Sequence, residues 1–144
     1  MLAVASLFVT SCLAIDYGYN SYSDALAQAK NHKQPLLVLV GATWCPACRS
    51  MEQNVLPRLS QQGSLAQVNL AKVDADRQPE LARQLMRGNA IPQLIVFSQR
   101  PDGSWYREQL TGAANEAAVL SLIQRAIRAG GPNDQGQAAS AIGY

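Results

Sequence analysis

The fold is decided by the stretch "GATWCPACRSM", residues 41–51, which directly follows the apolar run "PLLVLV". The run is long enough for one buried strand, and "CPACRSMEQNV" after it has the apolar spacing of a helix. Two cysteines, Cys45 and Cys48, therefore stand where a predicted strand gives way to a predicted helix. Such a pair can bind a metal ion, attach a haem, crosslink the chain or exchange electrons as a dithiol.

The metal and haem alternatives lack most of the residues that they need. A c-type haem site has a histidine directly after the second cysteine, and here that residue is Arg49. A structural zinc ion takes four ligands, usually Cys or His, and beyond the pair this chain offers only His32 and Cys12. His32 lies at the edge of a predicted helix, where we expect a surface position rather than a catalytic base. Dithiol–disulfide exchange is the favoured interpretation, while an inert crosslink and a zinc ion shared between two chains stay open.

The start of the helix gives the two sulfurs different expected roles. Free N–H groups and the positive end of the helix dipole favour the thiolate form of Cys45. Pro46 fits the first helical position, since the N–H that it lacks would have no partner there. Cys48 follows one turn later on the same side, within bonding reach of Cys45. We expect Cys45 to attack a client disulfide and the more buried Cys48 to resolve the mixed disulfide.

The composition indicates one ordinary globular domain. A chain of 144 residues can bury a core without crosslinks, and three cysteines are too few for a disulfide scaffold. The formal net charge is +2 and the basic residues are scattered, which argues against a nucleic-acid partner. We expect a monomer.

The first fifteen residues, "MLAVASLFVTSCLAI", are apolar or small and carry no charged side chain. They fall short of the roughly 20 residues that span a bilayer, but they have the length of a signal-peptide hydrophobic region. A peptidase could cleave after "CLA", or "VTSC" could act as a lipobox that places a lipid anchor on Cys12. We therefore expect residues 1–15 to be a signal peptide or lipoprotein signal and the mature protein to be extracytoplasmic, either periplasmic or secreted. The alternative is a buried N-terminal strand in a cytoplasmic protein.

The remaining residues alternate between helical and strand patterns. Residues 16–130 form the predicted domain, and residues 131–144 a predicted disordered tail. Ser21 and Asp24 form a capping box that begins the first helix. Pro57 is expected to kink or interrupt the helix of the cysteine motif. The later predicted elements are a strand over 65–76, a helix from Pro79 to Gly88, strands over 90–98 and 104–111, and a helix over 116–130. This α/β order implies a central mixed β-sheet flanked by helices on both faces.

Taken together, these motifs resemble the thioredoxin family. "WCPAC" is similar to the family's W-C-x-x-C active site, and "AIPQLIVF" to its cis-proline strand. "LAKVDAD", which contains Lys72, resembles the strand before the third helix, and "QLTGAA" the glycine-bearing end of the last strand. The resemblance implies a thioredoxin fold and, as the only redox group, a Cys45–Cys48 disulfide, with no other cofactor and no metal.

The resemblance also implies roles for residues outside the cysteine pair. Pro92 would carry the cis bond, and the backbone of Ile91 would pair with an extended segment of a client. Trp44 would offer an apolar contact surface beside the sulfurs, and Gly112 would lie beside the active site. Pro46 and Ala47 would tune the relative stability of thiolate and disulfide.

Two positions depart from the thioredoxin pattern. Leu39 stands where thioredoxin has a buried acid that assists proton transfer at the second sulfur, so water and Glu52 remain as candidates for that task. The Pro46–Ala47 dipeptide replaces thioredoxin's Gly-Pro. The whole motif is closer to exported thioredoxin-like proteins than to the cytosolic reductant.

The sequence therefore predicts a thiol–disulfide oxidoreductase that acts on protein thiols and disulfides in an extracytoplasmic compartment. If it works there as a reductant, it needs electrons from a membrane redox partner. The direction of exchange stays open. The alternative is a non-catalytic thioredoxin-like module that binds peptides or carries a metal at the C-x-x-C site.

Overall fold

The computed structural model describes residues 19–131, so the predictions for residues 1–15 and for the tail after 131 lie outside the described residues. Among residues 19–131, no helix is long and apolar enough to cross a membrane. In chain order the elements are α1 (Tyr22–His32), β1 (Leu36–Gly41), α2 (Pro46–Ser50), a π-helical turn (Met51–Val55), α3 (Leu56–Gln61), β2 (Asn69–Asp74), α4 (Pro79–Leu85), β3 (Gln93–Gln99), β4 (Trp105–Thr111) and α5 (Glu116–Gly130).

The four strands form one mixed sheet in the order β2-β1-β3-β4. β1 runs parallel to β2 and antiparallel to β3, and β3 runs antiparallel to β4. Every residue of β1 is buried, because this central strand is covered on both faces. Its side chains alternate between two cores, one under α3 and α5 and the other under α1 and α4. The predicted mixed sheet with helices on both faces is confirmed.

Side-chain caps fix where the longer helices begin. The Ser21 hydroxyl accepts from the Asp24 N–H at 3.2 Å, as the capping box predicts. The Asn115 side chain accepts from the Ala118 N–H at 2.9 Å and begins α5. α1 ends where Lys33 takes up the left-handed conformation.

The expected interruption at Pro57 takes the form of a π-helical turn rather than a break. Pro57 lies in the first turn of α3, and its missing N–H cannot donate to the carbonyl four residues earlier. The helical hydrogen bonds lengthen to an i to i−5 spacing just before Pro57, where the Leu56 N–H donates to the Met51 carbonyl. Helical backbone therefore runs on from Pro46 to Gln61.

Three predicted elements have wrong limits, and one of them is the strand predicted over 90–98, which spans Gln93–Gln99 because the cis Ile91–Pro92 bond precedes it. The strand predicted over 65–76 spans only Asn69–Asp74, because Leu65 and Val68 are buried in a turn segment that also packs on the core. The helix predicted to stop at Gly88 ends at Leu85, where Met86 becomes extended. The apolar residues of a well-packed loop give the same hydropathy pattern as those of a strand. The pattern alone therefore misplaces the residue at which such a strand or helix begins or ends.

The strand register brings distant parts of the chain to one end of the sheet. Val40, near the end of β1, pairs with Gln93 at the start of β3. Gln93 in turn pairs with Thr111 at the end of β4, and Gly41 pairs with Asp74 at the end of β2. The segments that contain Cys45, Pro92 and Gly112 all leave the sheet at this end.

A polar cluster fastens edge strand β4 to α5. The Arg125 guanidinium donates to both carboxylate oxygens of Glu108, at 2.7 to 3.0 Å, and the Tyr106 hydroxyl contacts the same carboxylate. These hydrogen bonds hold the pKa of Glu108 below its ordinary value, and the bond from Arg125 has the largest effect. Burial, followed by the contact with Glu108, raises the pKa of Tyr106.

We expect Glu108→Gln to lower the thermal midpoint near neutral pH by roughly 2–6 °C, because the charged bidentate contact is lost. The pKa of Glu108 is lower in the folded protein than its ordinary value of 4.5. The contribution of the Glu108 carboxylate to folding stability is therefore complete above pH 4.5 and is lost as the pH falls through the pKa of the folded state. Thermal unfolding near neutral pH and at about pH 2 measures this difference.

The matched control is Glu80→Gln, which removes an exposed helical pair with Arg83 and should change the midpoint little. Equal losses for the two variants, or a Glu108→Gln deficit that persists in acid, would contradict this account of the cluster.

Candidate functional site

Cys45 caps the helix that contains Cys48. It is the N-cap residue of α2, with extended backbone angles, and its Sγ accepts from the Cys48 N–H at 3.1 Å. Pro46 occupies the first helical position, as predicted. The two sulfurs are joined in a disulfide, with the Cα atoms 5.2 Å apart. Cys45 is 5% exposed and Cys48 is fully buried, so the predicted order of burial is confirmed.

Gly41 gives the buried sulfur its space, a role that no pattern in the sequence indicated. A Cβ atom at Gly41 would lie 2.9 Å from Cys48 Sγ and 3.0 Å from Cys48 Cβ. The backbone at the end of β1 thus forms the floor on which Cys48 packs. The only available signal was a glycine at the end of a continuous apolar strand.

Trp44 stands out from the surface beside the cysteines. Its side chain is 65% exposed, and its indole N–H donates to Asp76 Oδ2 at 2.9 Å. Asp76 follows β2, and its own N–H is bonded to the Asp74 side chain, which also accepts from the Arg77 N–H. An exposed aromatic ring is thereby held in one orientation, by a residue that the sequence analysis did not single out.

A groove of about 490 Å³ starts at Trp44. One wall is α4, and the other is the segment between α4 and β3, which includes Ile91. The lining is mostly apolar and consists of Trp44, Ala75, Pro79, Ala82, Arg83, Met86, Gly88, Asn89 and Ile91.

Pro92 and Gly112 meet at the same end of the sheet. The Ile91–Pro92 peptide bond is cis, and the Pro92 carbonyl accepts from the Gly112 N–H at 2.8 Å. Gly112 has a φ of +88°, which favours glycine at this position. Ala47 is half-buried between the cysteines, and Pro46 is exposed.

Strand β1 has no carboxylate at the position where the thioredoxin pattern has a buried acid, and an ion pair lies nearby on β2 and the π-helical turn. Leu39 is fully buried and pairs with Lys72 on β2. Lys72 Nζ instead meets Glu52 Oε2 of the π-helical turn at 2.7 Å, in a half-buried ion pair. Both residues lie on the side of the sheet that α2 and α3 cover.

The remaining candidate residues lie away from the sulfurs or make local contacts. His32 is exposed in the last turn of α1, as expected. Arg49 donates to the Thr43 carbonyl at 3.0 Å and borders the cysteine turn. Within the described part of the chain, no group of three or more His, Cys, Asp or Glu side chains could hold a metal ion.

The model of the Thioredoxin family matches residues 17–125. The chain belongs to the thioredoxin family. It is 32% identical over 89 residues to a thioredoxin-like protein of Synechocystis sp., covering 60% of this chain and 77% of that protein. It is also 32% identical over 99 residues, or 69% of this chain, to a bifunctional thioredoxin reductase/thioredoxin of Mycobacterium leprae, of whose length the match spans only 19%.

Solved structures agree with the family assignment. A thioredoxin from Thermus thermophilus superposes with a TM-score of 0.66 at 27% identity, over 78% of this chain and 88% of that one. The predicted thioredoxin fold is therefore confirmed. This thioredoxin-like protein is a redox protein with a C-x-x-C disulfide at Cys45 and Cys48, and in general terms a thiol–disulfide oxidoreductase.

We expect Gly41→Ala to destabilise the reduced protein by about 1–3 kcal/mol, because the new methyl group overpacks against Cys48. In a Cys48→Ala background the sulfur is absent, so the same substitution should be less destabilising by about 1 kcal/mol or more. Urea unfolding of all four proteins in excess dithiothreitol measures this cycle. The same loss in both backgrounds would show that Gly41 is needed for some reason other than the space for the Cys48 sulfur.

Proposed function

We propose that this thioredoxin-like protein exchanges disulfides with polypeptide clients through Cys45 and Cys48. The observation that carries the proposal is the position of the disulfide at a helix start, next to Trp44 and the groove that continues to Ile91. A mostly apolar groove with a few polar side chains in its lining suits an extended polypeptide segment. The exchange needs no bound cofactor, because the sulfur pair itself accepts and donates the two electrons.

The reducing direction takes two displacement steps. The Cys45 thiolate attacks one sulfur of a client disulfide, so the client S–S bond breaks and the other client sulfur leaves as a thiolate, which takes a proton. The Cys48 thiolate then attacks Cys45 Sγ in the mixed disulfide and releases the second client thiolate. The client gains two electrons, and the protein loses two as the Cys45–Cys48 disulfide forms. The oxidising direction runs the same steps backwards.

The structure gives physical reasons for this division of roles. Cys45 Sγ accepts an amide hydrogen bond at a helix start, which favours its thiolate over the thiol. Cys45 is also the only residue of the pair with any solvent-exposed surface. Cys48 is enclosed by Gly41, so a client sulfur reaches it only through the bond to Cys45.

We expect Cys45→Ser to abolish the reduction of insulin by the dithiothreitol-supplied protein, because the attacking sulfur is gone. Cys48→Ser should instead accumulate mixed disulfides with insulin, since no second sulfur resolves them. Non-reducing gel electrophoresis and a turbidity assay measure the two effects. The matched control is Cys12→Ser, which removes the third thiol and should keep wild-type turnover. Full turnover by Cys45→Ser would refute the proposed roles.

We further propose that the protein works as a monomer outside the cytoplasm, where a membrane redox partner would maintain its redox state. The support is the uncharged apolar stretch at residues 1–15 and the similarity of the cysteine motif to exported thioredoxin-like proteins. Lipid attached to Cys12 would hold the domain at a membrane surface, whereas cleavage after "CLA" would release it.

Expression of the full chain in a bacterial host distinguishes these outcomes. We expect the domain in the extracytoplasmic fraction, with a mass below that of the full 144 residues. If Cys12 carries lipid, Cys12→Ser should move the protein from the membrane to the soluble fraction. An unprocessed chain in the cytoplasm would contradict the proposed export.

A further inference from the structure

Gln93 is a buried polar residue whose role the disulfide chemistry does not explain. It is the first residue of β3, directly after Pro92, and its side chain is fully buried. A buried amide group needs partners for both its donors and its acceptor. Gln93 Oε1 accepts from the Arg87 N–H at 3.0 Å, and Nε2 donates to the carbonyls of Arg87 and Ala90, each at 2.9 Å. All three bonds go to the main chain of one short segment.

That segment, residues 87–90, forms part of the groove. It lies between α4 and β3 in irregular backbone, and Gly88 within it has a φ of +73°. Gly88 and Asn89 line the groove together with Trp44 and the adjacent Ile91. The shape of this wall depends on how the segment is held.

Other restraints on the segment are few. In the described residues, no hydrogen bond between main-chain groups involves residues 87–91. The end of α4 is held separately, because Arg107 donates to the Leu85 carbonyl at 2.6 Å. The Gln93 amide thus supplies the hydrogen bonds that a strand or helix would supply elsewhere.

We propose that Gln93 is a positioning residue for client binding, which holds residues 87–90 as the groove wall beside Trp44 and Ile91. The proposal rests on the proposed function, since it assigns the groove to polypeptide clients. Gln93 touches neither sulfur, so its loss should change how well a client is held and not how fast the sulfurs react. Small disulfides that do not fill the groove should be insensitive to it.

The test compares Gln93→Met with the wild-type protein on a large and a small substrate. Methionine keeps the length of the side chain and removes all three hydrogen bonds. For insulin we expect KM to rise by about tenfold with kcat changed by less than about twofold. The rate with glutathione disulfide should stay within about twofold of wild type. In amide exchange, the Arg87 N–H should lose its protection while the Gly112 N–H keeps it.

Ile95→Val is the matched control. Ile95 lies on the same face of β3 and is equally buried, but it makes no side-chain hydrogen bond to the groove wall. It should lower the thermal midpoint and leave the insulin KM unchanged. If Gln93→Met does not fold, Gln93→Asn replaces it in the test. The side chain of asparagine is one methylene shorter, so its amide cannot make the same bonds to residues 87–90, and the insulin KM should again rise.

The outcomes separate the two proposals. An unchanged insulin KM in the Gln93 variant, or an equal loss with glutathione disulfide, would overturn the positioning role while the oxidoreductase function stands. A wild-type protein that reduces neither substrate would overturn the proposed function, and the positioning role with it. A KM that rises as much in Ile95→Val would show that general loosening of β3 is the cause.

Discussion

The sulfur of Cys45 is at once the cap of a helix and one half of a disulfide, and the rest of the site is arranged around this double role. The first N–H groups of a helix have no partner inside it, and here Cys45 Sγ supplies one for Cys48. A charged acceptor makes a stronger hydrogen bond than a neutral one, so the cap strengthens when the sulfur becomes a thiolate. The helix therefore favours the reactive form of the residue that starts it. Pro46 supports this arrangement because it begins the helix without adding an unpaired donor.

The sheet supplies what the helix start cannot, namely one side of the groove that begins at Trp44. β1, β3 and β4 meet at one end through the pairs Val40–Gln93 and Gln93–Thr111. The segment that forms the groove wall leads into β3 at this end of the sheet. The backbone pairing of Gln93 with the neighbouring strands therefore also fixes the position of its side-chain amide. The same residue is tied to the sheet by its backbone and to the groove by its side chain. Strand register and the groove wall are thus linked through one residue.

The local parts of this site could be predicted from the sequence, and the parts that depend on long-range contacts could not. The cap at Cys45 and the burial of Cys48 follow from a few consecutive residues, because helix starts have their own residue preferences. The contact of Trp44 with Asp76 joins residues 32 apart, and neither side chain carries a pattern that points to the other. Gln93 looked like an ordinary strand residue, since a polar side chain in a predicted strand usually faces solvent. Only the loop folded over it shows that its amide has main-chain partners.

Leu39 is fully buried at the position where the thioredoxin pattern has an acid, so β1 carries no charge there. A lone buried carboxylate would raise the free energy of a neighbouring thiolate, but Leu39 places an apolar side chain there. Among the carboxylates on this side of the sheet, that of Glu52 lies in the helical turn that follows α2, and its charge is offset by Lys72 at 2.7 Å. Glu52 lies in the π-helical turn that precedes Pro57, so the helix irregularity and the ion pair arise from the same segment. The polar contact at the sulfur pair itself is the bond from the Cys48 N–H at the start of α2 to Cys45 Sγ, at 3.1 Å, and the Glu52–Lys72 pair follows in the next turn of the same helical segment.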